Sequence, residues 1–173
     1  MEKFYVTTGK ARICYANLYE PKPDATTGKL KYSLTVLIPK EDTETLLAIK
    51  EAVEAAYEVG QDTLKGNNKT APSLGSIHTP LRDGDEERPD DPVFAGMMFF
   101  GASSTYKPDI YDDGKNLIED PDFVYSGCYC RVGLRFFAYN ARGGKGIGAG
   151  VLALQKVADG ESLAKKMNTA DMF

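Results

Sequence analysis

Residues 128–139, CYCRVGLRFFAY, alternate between two kinds of side chain, and no other feature of the chain restricts its fold as closely. Cys128, Cys130, Val132, Leu134, Phe136 and Ala138 are apolar and share one face of an extended strand. Tyr129, Arg131, Gly133, Arg135, Phe137 and Tyr139 share the other, since successive side chains of a strand point to opposite faces. The first face belongs in a core. The second mixes aromatic rings with guanidinium groups, as a surface for single-stranded nucleic acid requires: each base offers a π-face to stack and each nucleotide a phosphate to pair with a cation. Cross-strand Tyr and Arg pairs on an ordinary solvent face would read the same way.

A second alternating segment, KLKYSLTVLI, sets Leu30, Tyr32, Leu34, Val36 and Ile38 against Lys29, Lys31, Ser33 and Thr35. With ARICYANLYE before it and PKPDATTGK between, it predicts a hairpin with a long connection. Its lysine face would flank the same groove as the aromatic strand in a five-stranded barrel, although lysines on a strand also serve solubility and edge protection. After Pro39, EDTETLLAIKEAVEAAYEVG carries apolar residues at 46, 47, 49, 53, 56 and 57. Asp42 or Thr43 is its N-cap, acids fill the first turn and Gly60 stops it, so it predicts an amphipathic helix.

Residues 61–95, with Pro72, Pro80, Pro89 and Pro92, predict a long irregular insertion with a helical extension ending near Gly66; loops of that length are usually functional or mobile. GMMFFGASS predicts a short apolar strand, residues 107–122 an acidic loop, FVYSGCYCRVGLRFFAYN a strand, ARGGKG a loop and IGAGVLALQKVA a last strand. About five strands with one helix after the second favour a small Greek-key barrel over a doubly wound sheet. The expected architecture is mainly β with one or two helices and long loops, a single domain over 1–160 followed by a tail over 161–173.

The 173 residues carry a net charge of −4, which by itself argues against a nucleic-acid partner. The charges are segregated, however. Residues 1–40 hold seven Lys/Arg against three acids and residues 123–158 hold five against none, whereas residues 83–122 hold twelve acids against three bases. Such asymmetry lets an acidic chain present one basic face. The hydrophobic fraction of 42% is that of a folded globular protein. No run approaches the length of a membrane helix and MEKFYVTTGK lacks the apolar core of a signal peptide, so a cytoplasmic protein is expected.

None of the motifs that could carry chemistry matches its template. Cys14, Cys128 and Cys130 lack the spacing of a zinc site and are odd in number; they read as small buried residues in strands. The run from Gly143 to Gly150 does not fit G-x-x-x-x-G-K-[ST], because Gly146 follows Lys145. It does not fit G-x-G-x-x-G either, because a strand follows it rather than a helix. A hairpin turn explains it, from which Arg142 and Lys145 would grip a strand. DGDEERPDD and DIYDDG do not match a calcium loop, and His78 is the only histidine, with no nucleophile motif to complete a triad. No catalytic constellation, metal or cofactor is expected.

The order and spacing of RICYANLYEPK, YSLTVLIPKEDTETLLAIKEAVEAA, YSGCYCRVGLRFFAYN and GGKGIGAGVLALQKVADGE, with an aromatic C-terminus, resemble the phage single-stranded DNA-binding proteins formerly grouped as a domain of unknown function. The resemblance covers most of the chain. It implies an OB-fold and sequence-tolerant strand binding in phage DNA replication or recombination, within the bacterial host cell. Carried onto the matching strands, it implies contacts from Lys29, Lys31, Tyr129, Arg131, Arg135, Phe137 and Tyr139. Asp171, Met172 and Phe173 resemble the acidic, aromatic-ended tips by which such proteins recruit phage or host replication and recombination partners. This tail departs from the pattern in having one acid behind Lys165 and Lys166, and a frayed terminus is the simpler account. A phage structural or assembly protein on a small β-domain, and a nuclease, are the alternatives; self-association is left open.

Overall fold

The computed structural model describes residues 2–25, 27–141, 144–164 and 169–172. Its elements in chain order are β1 (Tyr5–Thr7), β2 (Ala11–Pro23), β3 (Leu30–Pro39), α1 (Thr43–Val59), α2 (Gln61–Lys65), β4 (Arg82–Asp83), α3 (Gly84–Glu87), β5 (Met97–Ser104), β6 (Asp109–Tyr111), β7 (Tyr129–Ala141) and β8 (Gly144–Ala158). β2 pairs with β3, β3 with β5, β5 with β8, β8 with β7, and β7 returns to β2. Five strands thus close on themselves, antiparallel except where β5 meets β8. That ring, with its one parallel contact, is the OB barrel.

The alternating segments build it as their patterns require. Ile13 and Leu18 of β2, Leu34, Val36 and Ile38 of β3, Phe100 and Ala102 of β5, Cys130, Val132, Leu134 and Phe136 of β7, and Ile147, Ala149, Val151 and Leu154 of β8 fill the interior. Each Val, Leu, Ile or Phe among them, fully buried, contributes about 1.5–3 kcal/mol. α1 lays Ile49, Ala52, Val53 and Ala56 on the same core. Asp42 is its N-cap, its carboxylate accepting from Thr45 N at 3.2 Å, a contact worth about 1 kcal/mol. The helix stops at Gly60, which packs so closely on Ala138 that a Cβ has no room there. α2 follows at once and ends before Gly66, as the extension was read.

The barrel has a weak seam. β5 and β8 share one register point, Ser103 opposite Gly150, and residues 77–83 of the insertion enter beside it. His78 N donates to Lys145 O at 3.0 Å and Ile147 N to His78 O at 2.8 Å, while β4 pairs with β5, Arg82 opposite Phe99. Residues 84–95 of the insertion cover the outer face of β2, β3 and β5. There Cys14, Leu37, Phe94 and Phe99 form a satellite cluster, with Phe94 and Phe99 edge to face at 4.9 Å and Arg88 stacked over both.

Several expectations are corrected. β3 begins at Leu30, so Lys29 lies in the preceding turn, where its carbonyl accepts from Asp24 N; Leu30 itself is exposed, because the barrel interior starts only at Leu34. The acidic loop contains β6, which adds in parallel to β8. Residues 123–128 run irregularly into β7, and the described residues hold three α-helices, the third a single turn of four residues, where one or two were expected. From Gly144 onward the glycine segment is strand rather than loop, β7 and β8 staying paired up to Ala141 opposite Gly144, with Arg142 and Gly143 outside the described residues. All three cysteines are buried and free.

Candidate functional site

The pairing of β7 with β8 sets Tyr139 opposite Gly146, Phe137 opposite Gly148 and Arg135 opposite Gly150. Directly opposed residues share a face, so Gly146, Gly148 and Gly150 leave the outer surface of β8 bare beside an aromatic or an arginine. The rings use that space. A Cβ on Gly148 would lie 3.1 Å from Cζ of Phe137 and 3.5 Å from Cδ1 of Tyr139, and one on Gly146 2.6 Å from the Tyr139 hydroxyl. The two rings lie down over a strand without side chains, which holds their faces at a set height.

This floor belongs to a cleft of about 550 Å³ on the outside of the barrel. Gly101 and Ser103 of β5 continue it, Lys31 of β3 and Asp24 of the β2–β3 turn stand on one side, and His78 and Arg82 of the insertion form another wall. The position is that of the ligand face of an OB barrel, between its second and third strands and the turn joining its last two. The cleft's cations are held by acids: Lys31 Nζ lies 3.1 Å from Asp24 Oδ2, and Arg82 Nη1 2.8 Å from Glu87 Oε1. An anion entering the cleft competes with those carboxylates.

The insertion is anchored by charge. Lys40 Nζ sits 2.9 Å from Asp83 Oδ1 and 2.7 Å from Asp85 Oδ2, and Asp85 Oδ1 also accepts from Gly96 N at 3.0 Å. Hydrogen bonds from Lys40 hold both carboxyls below their ordinary range and push the ammonium up. Part of the acidic stretch is therefore a latch rather than a solvated loop.

Of the residues singled out from the sequence, Lys31, Phe137 and Tyr139 come together in the cleft. Arg135 adjoins them on β7, exposed, its guanidinium 5.6 Å from the Phe4 ring. Tyr129 and Arg131 face outward as predicted but lie at the far end of a strand whose ten-residue run spans on the order of 30 Å. Tyr129 is packed between Lys10 at 4.8 Å and Arg12 at 5.7 Å, and Arg131 Nε donates to Thr8 O at 3.2 Å. Lys145 is in β8 opposite Asn140, on the other face of the hairpin from Tyr139. Arg142 and Phe173 lie outside the described residues, as does the side chain of Asp171; Met172 is exposed in a short 3-10 turn, Thr169–Met172.

The reading from sequence missed Gly101, Ser103, Asp24, His78 and Arg82. The period-two glycines at 144, 146, 148 and 150 were a legible signal for a bare strand face. Among the described residues no group of His, Cys, Asp and Glu is arranged to hold a metal ion, and no helix is long and apolar enough to cross a membrane.

A family model described as Enterobacter phage Enc34, ssDNA-binding protein matches residues 4–173. A putative protein, p50, of Acyrthosiphon pisum secondary endosymbiont phage 1 is 29% identical over 163 residues, spanning 91% of this chain and 85% of that protein. Among solved structures, the single-stranded DNA-binding protein of bacteriophage Enc34 in complex with ssDNA superposes with a TM-score of 0.77 at 24% identity, covering 94% of this chain and 91% of that one. Gp2.5, a single-stranded DNA-binding protein encoded by bacteriophage T7, has a TM-score of 0.65 at 16% identity, covering 97% and 99%. These two likenesses establish the fold.

Proposed function

Since the chain belongs to the phage Enc34 single-stranded DNA-binding protein family, we propose that it binds single-stranded DNA in the outer cleft and coats exposed strands during phage replication or recombination in the cytoplasm of the bacterial host. The observation that carries this reading is the pair of rings, Phe137 and Tyr139, lying over the glycine face of β8 beside Lys31. Bases stack on the rings, and Lys31, Arg135 and Arg82 take phosphates in exchange for Asp24 and Glu87. Stacking is indifferent to base identity, so binding is sequence-tolerant. A duplex keeps its bases paired inside and has none to offer the rings. Tyr129 and Arg131 serve the architecture of the opposite end of β7, and no chemical step is assigned to any residue.

Titration of a labelled oligonucleotide at two salt concentrations, with a duplex control, tests the proposal. Tight binding of the single strand, weakening with a log–log slope of about −0.7 per phosphate contacted, is the expected result. Equal affinity for duplex, or none for either, refutes it, and degradation of the strand in Mg²⁺ points to a nuclease instead.

A further inference from the structure

We propose that Tyr15 is a second stacking station for the bound strand, on the opposite bank of the barrel face from Phe137 and Tyr139; the inference rests on the cleft being the single-strand site. Tyr15 and Lys115 are the described non-glycine residues with positive φ, Tyr15 at 48°. A bulky side chain rarely adopts that conformation, and where one is held there the surrounding structure must enforce it. The cause is a bulge in β2. From Cys14 to Asn17 the strand takes three steps, while β3 takes two from Thr35 to Ser33. Bulges of this kind re-aim a side chain.

The flanking residues fix where it is aimed. Cys14 faces outward into the satellite cluster with Leu37 and Phe99, and Asn17 faces outward, its Nδ2 3.5 Å from Ser33 Oγ. Ala16 turns in and packs on the core. Tyr15 is 59% exposed, and among the described residues no hydrogen bond, ion pair or ring contact engages its side chain. Tyr57, Tyr125 and Tyr129 are by contrast engaged, Tyr57 donating to Pro72 O, Tyr125 to Asp159, and Tyr129 lying under two cations; Tyr106 is exposed as well, but it lies in a bend with no strained φ to aim it. Between Tyr15 and the cleft the outer surface is small and polar, with Thr35 and Ser33 on β3 opposite Gly101 and Ser103 on β5. Along the outer surface, by way of β3, β5 and β8, the path from Tyr15 on β2 to Phe137 on β7 is four strand spacings of about 4.8 Å, on the order of 20 Å. A single strand stacked at both banks would cross the barrel strands over a floor low enough for its backbone.

Tyr15→Gly removes the ring and the strained conformation together, whereas Tyr15→Phe keeps the ring. With an oligonucleotide of about 16 nucleotides, Tyr15→Gly should weaken binding roughly 5- to 100-fold and raise the melting temperature, while Tyr15→Phe binds as the wild type does. Photocrosslinking of an iodouracil-substituted strand should label the peptide carrying Tyr15 in the wild-type protein. Wild-type affinity in Tyr15→Gly alongside weakened Phe137→Ala overturns the inference and leaves the cleft standing; wild-type affinity in both variants overturns the cleft and this inference with it. If Tyr15→Gly lowers the melting temperature, the crosslink decides, and its absence at Tyr15 overturns the proposal.

Discussion

The two ends of β7 carry the same mixture of aromatic and arginine on their outer face, Tyr129 with Arg131 at one end and Arg135 with Phe137 and Tyr139 at the other, and the structure surrounds them in opposite ways. At the Tyr129 end the surroundings are complete. Lys10 and Arg12 stack on the ring, Arg12 donates onward to Gly127 O and Glu161 O, and Arg131 Nε is taken by Thr8 O. At the Phe137 end the neighbouring strand presents Gly146, Gly148 and Gly150, and the rings lie against backbone with their outer faces turned to a cleft. A strand's alternation says which side chains leave the core. What the adjacent strand lacks says which of them remain available.

The contrast breaks most readily by removing the rings. Phe137→Ala with Tyr139→Ala should cost roughly 2–6 kcal/mol of single-strand affinity, at least about thirtyfold, with the melting temperature near wild type because neither ring belongs to the buried core. Fluorescence anisotropy against a labelled oligonucleotide measures it; an unchanged dissociation constant would remove the cleft as the binding site. Gly148→Val should follow at about tenfold or more, since its added atoms must lift the Phe137 ring off the floor. Gly101→Ala, with open space around its Cβ position, should leave the rings where they are.

Tyr129→Ala reverses the pattern. Its ring holds two cations and lies against Gly160, so its loss should lower stability by about 1–3 kcal/mol and leave affinity nearly unchanged. Calorimetry and anisotropy on one preparation separate the two effects. The cations divide in the same way: Lys31→Ala should flatten the log–log salt slope by about 0.7, the share of one phosphate, whereas Arg131→Ala should leave the slope as it is. Equal slopes for the two variants would erase the distinction between the ends.

The barrel was legible because its information is local. Leu34, Val36 and Ile38, and Cys130 through Phe136, alternate at the period of a strand, and the 42–60 stretch carries its own cap and stop. Lys31, Phe137 and Tyr139 could be read from the same alternation. Their separation from Tyr129 could not, because it depends on β8 register, which places glycines opposite one end of β7 and Ala153, Gln155 and Ala158 opposite the other. His78 and Arg82 were hidden for a related reason: a short segment entering the seam between β5 and β8 is held by backbone pairing, which leaves no periodic trace in side chains. The bulge at Tyr15 likewise exists only as a mismatch between two strands.

The smallest effect concerns the wall that the insertion lends to the cleft. Arg82 adjoins Asp83, and Asp83 and Asp85 are tied to Lys40 by hydrogen bonds that lower both carboxyls below their ordinary value of 3.8. A carboxyl whose folded-state pKa is depressed supports the fold above its unfolded value and loses that support only as pH falls through the depressed one. The latch should therefore persist unchanged from neutral pH to about pH 5 and release only below about pH 4. The hydrogen-exchange protection factor at Gly96, whose amide donates to Asp85, reports it directly. Lys40→Met should lower that protection already at neutral pH and loosen the Arg82 wall, while amides around Tyr129, where no such carboxyl pair acts, stay protected; equal loss at both ends would mean that Lys40 supports the barrel as a whole rather than the cleft side of it.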